Sequence, residues 1–361
     1  MNNLIDSDKN DEEIIEEKLY LLDLINESEM KVNALKEKDW KTLLDIDLKE
    51  EENSMYPIEN EIKKRDGYYT STWPNLFTRE TRYKMNKWMA ERNIQPVFRY
   101  DFISWMTIYD IAFQDEIIEE IVKIRIVKYD SSGISFLNHV SQYIFGIVGA
   151  IFFLFLFGDI VTKEGYGKYG PIHFLKTMPI HRGKILISKL ITILLVSMIT
   201  LLIITIFSLL LGTVFDRFGD LDYPVLIYGE NYTHQLIEMS SFLIQSVLLF
   251  LMVLLFCFSL LFLFSMLTKT ILPALGLTIV TVYIGITFSE NAIKSSFSSL
   301  NPFHYFTVPK IITNELAASI NNFDFSFTRG LLVFFISSLI LFSLTYLLDY
   351  FSIRHFKKNR L

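Results

Sequence analysis

Residues 159–189 read DIVTKEGYGKYGPIHFLKTMPIHRGKILISK, and the side chains there that could do work are Glu164, Phe174, Leu175, Ile180, Arg182, Lys184 and Lys189. Gly165, Gly167, Gly170, Pro171 and Pro179 punctuate the stretch, and one short amphipathic piece, 172–178, lies inside it. The chemistry this offers is recognition and force transfer. Phe174 and Leu175, held between Gly170 and Pro179, can seat in a partner's pocket, while the cations can meet acidic groups or lipid phosphates. A polar, basic loop of this composition between two long apolar runs lies on a membrane surface.

Bond-making chemistry is poorly provided for. The histidines, His139, His173, His181, His234, His304 and His355, form no i, i+4 pair and no H-E-x-x-H, so a catalytic metal is not expected. The single cysteine, Cys257, excludes an intrachain disulfide and a thiolate zinc cluster. No G-x-x-x-x-G-K-[ST] occurs anywhere, and the glycines at 165–170 lack the lysine and hydroxyl that cradle phosphates. If ATP drives this protein, another polypeptide hydrolyses it.

The elements that must position the loop are membrane spans. Of 361 residues 51% are hydrophobic and 32 are Phe. Beyond about residue 136 the apolar residues fall into nearly uncharged runs close to the roughly 18 to 20 residues needed to cross ~30 Å of hydrocarbon. Five spans are predicted, at 140–157, 185–212, 242–266, 271–288 and 331–348, with Pro273 tolerated in the first turn of the fourth. Placing 159–189, the 268–270 link and the C-terminal tail inside leaves only Arg217, Lys294, Lys310 and Arg329 in the opposite loops. That is the positive-inside bias. Ser197, Thr200 and Thr205 are expected to hydrogen-bond within or between helices, and Tyr143, Tyr346 and Tyr350 to anchor span ends at the interface.

The first third is different in kind. Residues 1–66 carry 20 acidic against 10 basic side chains, so nucleic acid is an unsuitable partner. Apolar residues recur at helical spacing from about Asp8 to Glu52, with a hairpin break expected near 26–28 and the pattern interrupted at 53–57. Further helices are expected at 59–65 and 77–93. Residues 98–113 are apolar in parts, but Arg99, Asp101 and Asp110 each cost about 2.5 to 3.5 kcal/mol at mid-bilayer, so this is a packed or interfacial helix and not a span. All four tryptophans lie in this third, which argues for a folded helical domain. The predicted architecture is all-α: residues 1–130 as an acidic helical domain and 131–361 as a membrane domain.

The order of motifs carries a resemblance. Glu164-Gly165, then Phe174-Leu175, then Pro179-Ile180-His181-Arg182, then Lys184 and Lys189 entering a long span, with Asn301-Pro302-Phe303 before the last span, resembles permease subunits of type-2 ABC exporters. It covers roughly residues 131–361. The resemblance implies a coupling helix inside the loop, a separate ABC ATPase subunit that binds ATP and Mg, no cofactor on this chain, and a second permease copy or related permease beside it in a bacterial plasma membrane. It also implies transport and not catalysis, and because the predicted spans offer no charged pocket the cargo is expected to be amphipathic or apolar: a peptide antibiotic, a lipid-like molecule or a drug. That family has six spans, whereas this chain is expected to have five, as if the usual first span were absent; the C-terminus would be cytoplasmic and residues 1–130 outside. The other reading is a non-transporting sensor or immunity protein whose helical domain binds a peptide or envelope component.

Overall fold

The computed structural model describes residues 2–62, 74–96, 106–110, 131–162, 182–268, 270–293 and 297–358. Its contacts divide into two compact units, one of Met1–Lys128 with Asp222–Pro224 and one of Tyr129–Leu221 with Val225–Leu361.

The first unit is built on three helices, α1 (Asn2–Glu37), α2 (Trp40–Ile62) and α3 (Leu76–Arg92). The hairpin break expected at 26–28 falls instead at Lys38, whose φ of 57° is left-handed. Asp39 then caps α2, accepting from the Thr42 amide at 3.2 Å and its hydroxyl at 2.6 Å. Residues 26–28 stay helical because Ser28 satisfies its hydroxyl on the Leu24 carbonyl at 2.8 Å. The interruption expected at 53–57 is also absent. Pro57 removes one backbone donor, and α2 runs on through it to Ile62.

α3 starts where Asn75 accepts from the Thr78 amide at 2.8 Å and stops at left-handed Asn93. Leu43, Leu44 and Ile46 on α2 and Leu76, Phe77, Met85 and Met89 on α3 are buried where these helices pack, each stabilising the unit by about 1.5–3 kcal/mol. Asp110, read from sequence only as a charge too costly for a span, has a definite task. Its carboxylate accepts from the Asn75 amide at 2.8 Å, from the Thr107 amide at 3.2 Å and from the Thr78 hydroxyl, so it anchors the start of α3. The rest of the segment expected at 98–113 lies outside the described residues, apart from 106–110.

The second unit is polytopic and helical. α4 (Gly133–Ile144) and α5 (Ile147–Thr162) lead to α6 (Arg182–Phe215), a short hairpin of β1 (Pro224–Tyr228) and β2 (His234–Glu238), then α7 (Met239–Thr268) and α8 (Ile271–Ala292). After two short helices, α9 (Val308–Ile312) and α10 (Glu315–Ser319), α11 (Phe327–Lys358) closes the chain. Four predicted spans lie inside helices long and apolar enough to cross a membrane, Gly183–Phe215, Met239–Thr268, Ile271–Ser289 and Phe327–Leu348. α7 is the hub, packed against α5, α8 and α11, with Phe250, Leu254, Phe258 and Leu261 fully enclosed. A helix apolar all round belongs in that position.

The first predicted span is not one straight helix. α4 and α5 meet at 76° around Phe145 and Gly146. The start of α4 is pinned to the far end of α6: the Gly133 and Ile134 amides donate to the Arg217 and Phe218 carbonyls at 2.8 and 2.9 Å, and Ser131 to Asp216 at 2.9 Å. A Cβ on Gly212 would lie 2.5 Å from the Gly133 Cα, so these helices touch backbone to backbone. The end of α5 is pinned near the beginning of α6, where Lys189 Nζ donates to the Val161 carbonyl at 3.3 Å. Residues 189 and 213 are about 36 Å apart along a helix at 1.5 Å per residue, more than a bilayer core. The bent pair therefore runs from one end of the long helix to the other. Taken together the pair is long and apolar enough to make a fifth candidate span.

Candidate functional site

The loop picked out by sequence joins the end of α5 at Thr162 to the start of α6 at Arg182. Glu164, Gly165, Gly170, Phe174, Leu175, Pro179 and Ile180, with the amphipathic piece 172–178, lie outside the described residues. The structure does describe the base of the loop. Arg182 is the first residue of α6, Lys184 falls in its first turn and Lys189 two turns in. Cations at a helix N-terminus oppose the macrodipole, by about 0.3–1 kcal/mol each, so Arg182 and Lys184 are not placed there to stabilise their own helix. Lys189 is different: its bond to the Val161 carbonyl satisfies one of the groups orphaned at the C-terminus of α5. It ties together the two helices that flank the loop. Gly183 packs beside Tyr346 of α11, with room for a Cβ 3.4 Å from the ring.

At the other end of the spans is a dense cap. Asn301 accepts from the Phe303 amide at 3.1 Å and Pro302 takes the first position of the following turn, so Asn301-Pro302-Phe303 is a capped helical start. Phe303, Tyr305 and Phe306 then enter the space between α7, α8 and α11. Phe256 meets Phe303, Phe306 and Phe334 at ring-centroid distances of 5.6, 6.3 and 5.8 Å. Gly285 has to be glycine, because a Cβ there would sit 2.5 Å from the Phe303 ring. Tyr305 is fully buried and donates its hydroxyl to the Ser299 carbonyl at 2.8 Å. His304 is buried against Phe325, its Nε2 has no partner, and burial lowers its pKa from the ordinary imidazole value.

Sequence reasoning missed the hairpin on this side and its tie to the cap. The Tyr228 amide donates to the Thr313 carbonyl at 2.9 Å, and Asn314 Nδ2 donates to the Tyr228 carbonyl at 3.0 Å. The signal available was β-branched and aromatic residues at 225–228, followed by Gly229 and Asn231.

Inside the spans many of the polar groups are hydroxyls bonded to their own helix. Thr200, Ser246, Ser259, Thr278 and Thr345 each donate to the carbonyl four residues back. Ser197, expected to do the same, is fully buried with its hydroxyl unpartnered. Among the described residues no three His, Cys, Asp or Glu side chains gather as a metal site.

The first unit holds a charged cluster between its helices. Lys31 Nζ lies 2.5 Å from Glu50 and 3.5 Å from Asp47, while Arg82 Nε lies 2.5 Å from Glu51 and Asn86 donates to the same carboxylate at 3.3 Å. Burial outweighs Arg82 and pushes Glu51 up to about 7; it raises Asp47 as well.

Comparison of the chain with family models, with curated proteins and with solved structures found no match.

Proposed function

We propose that this chain is the membrane-spanning subunit of an ATP-binding-cassette exporter, with the loop 159–189 as the element gripped by a separate ATPase subunit. The observation that carries this reading is the ordered pattern in the sequence: Glu164-Gly165, Phe174-Leu175 and Pro179-Ile180-His181-Arg182 between the first two spans, and Asn301-Pro302-Phe303 before the last. The cations at the start of α6 support it, because their own helix gains nothing from them and an acidic partner surface or lipid phosphates would. Charge asymmetry puts that loop and the C-terminal tail in the cytoplasm of a bacterial cell, and the hairpin and aromatic cap outside. Residues 1–130 are then on the outer side. The membrane interior offers hydroxyls and aromatic rings but, among the described residues, no Asp, Glu, Lys, Arg or His at the middle of a long span, which suits an amphipathic or apolar cargo.

The test is purification in mild detergent. An ATPase subunit should accompany the chain, and Phe174→Asp with Leu175→Asp should abolish cargo-stimulated ATP hydrolysis while the amount of chain in the membrane stays the same. Labelling of Lys168→Cys or Lys176→Cys by an impermeant reagent from outside the cell would overturn the reading.

A further inference from the structure

The aromatic cap is seated by close fit. Phe303 and Phe306 stack at 6.1 Å and wedge against Phe256 of α7 and Phe334 of α11. A Cβ on Gly330 would come within 2.8 Å of the Tyr305 ring. One member of this plug does not suit its place. His304 is 6% exposed and lies edge-on to Phe325 at 5.4 Å, and among the described residues its Nε2 has no hydrogen-bond partner. A neutral imidazole tolerates such a site at the cost of one unmade bond. An imidazolium there would be a charge taken out of water without a counterion, which costs far more.

The elements around the plug bring few titratable groups. Asp324, next to Phe325, is paired with Arg329 of α11 at 2.8 Å, and Lys310 of α9 with Glu315 of α10 at 3.3 Å. Burial pushes Tyr305 up to about 12. α7 has only the thiol of Cys257, and α8 has exposed Tyr283 and, in its last turn, Glu290. We propose that the cap is an acid-released plug: protonation of His304 loosens residues 298–306 from between α7, α8 and α11 and opens that end of the helices. This does not rest on the exporter reading, since it requires neither an ATPase nor a cargo. Burial alone holds His304 below its ordinary 6.5, so the seated cap is favoured fully above about pH 6.5 and progressively less as pH falls below it. Between pH 7.5 and 5.5 release becomes at most about tenfold more frequent.

The test is amide hydrogen exchange of the full chain in phosphatidylcholine nanodiscs at pH 5.5 and 7.5, corrected for the intrinsic effect of pH on exchange. Amides of 298–312 should lose about tenfold in protection at pH 5.5, while those of α7 keep theirs. In His304→Gln and His304→Leu, neither of which titrates, the cap should be equally protected at both values. Glu290→Gln should respond as the unaltered chain does. The inference fails if the unaltered cap does not respond, if either His304 variant that folds still responds, or if Glu290→Gln abolishes the response. It also fails if α7 loosens in step with the cap, which would make the event acid unfolding of the whole unit. Where neither His304 variant folds, a pH series on the unaltered chain decides. Protection that is level above about pH 6.5 and falls by up to tenfold per unit below it marks a single imidazole, and a fall that begins only near the carboxylate range, below about pH 5, overturns the inference.

Discussion

Around Phe334 the buried side chains are Phe256, Tyr305 and Phe306; between α1, α2 and α3 Asp47 and Asn86 are buried and Glu51 half-buried, with Lys31 and Arg82 pairing with the carboxylates. The first interface is held by the shape of rings meeting edge to face, and its polar groups are few and local, such as the Tyr305 hydroxyl on Ser299. The second is held by paired charges taken partly out of water, where desolvation works against the attraction. The difference is one of response. Rings are indifferent to salt and, apart from buried His304 at the edge of the cluster, to pH, whereas paired charges make the first unit adjustable by both.

The largest effect should come from the aromatic side. Phe334 is fully buried, so Phe334→Ala removes a ring from a packed site and should destabilise the membrane unit by about 3 kcal/mol. Thermal unfolding in detergent measures this, and the loss should be the same at acidic and neutral pH. A loss that changed with pH would mean that removing the ring alters the surroundings of buried His304, and would break the contrast.

The four long spans and the all-helical class were legible in the sequence because a helix that is apolar throughout announces itself by composition alone. The bent pair was hidden for the same reason: 140–157 is apolar across Phe145 and Gly146, and composition says nothing of direction. In the first unit the turn was misplaced because Asn26 and Ser28 are weak helix formers, but a hydroxyl bonded to its own helix removes their preference for a turn. The real reversal, at Lys38 and Asp39, looked like ordinary charged helix. At the candidate site, the entry of Lys184 and Lys189 into a long helix was readable from the apolar run after them. That Lys189 turns back to Val161 was not, because the contact joins residues 28 apart in sequence.

A smaller effect, and one that sharpens the contrast, concerns pH. Glu51 rises from an ordinary value of 4.5 to about 7 in the folded chain, so between these values the folded state holds a proton that the unfolded state has released. Stability from this group is therefore full below about pH 4.5 and is lost as pH climbs through 7. Asp47 is shifted in the same direction. The tryptophan-monitored unfolding of the first unit should move up by a few degrees as pH falls from about 7.5 to 5.5, and Glu51→Gln should flatten that rise. The opposite slope would mean that the Arg82 pairing dominates and that Glu51 stays ionised.

The smallest effect tests the base of the loop. In Lys189→Met the stem still packs, but the Val161 carbonyl loses its donor, a change worth about 0.5–1 kcal/mol. The thermal midpoint should fall slightly, by much less than for Phe334→Ala, because one hydrogen bond to a carbonyl is lost and no cavity is opened. If Lys189 is only a clamp between α5 and α6, Lys189→Arg, which keeps the donors, should restore the midpoint. If the midpoint of Lys189→Met is unchanged while coupled ATP hydrolysis falls, the lysine acts on a partner instead. The two ends of the spans would then differ in purpose as well as in material, one built to hold its shape and the other to be held.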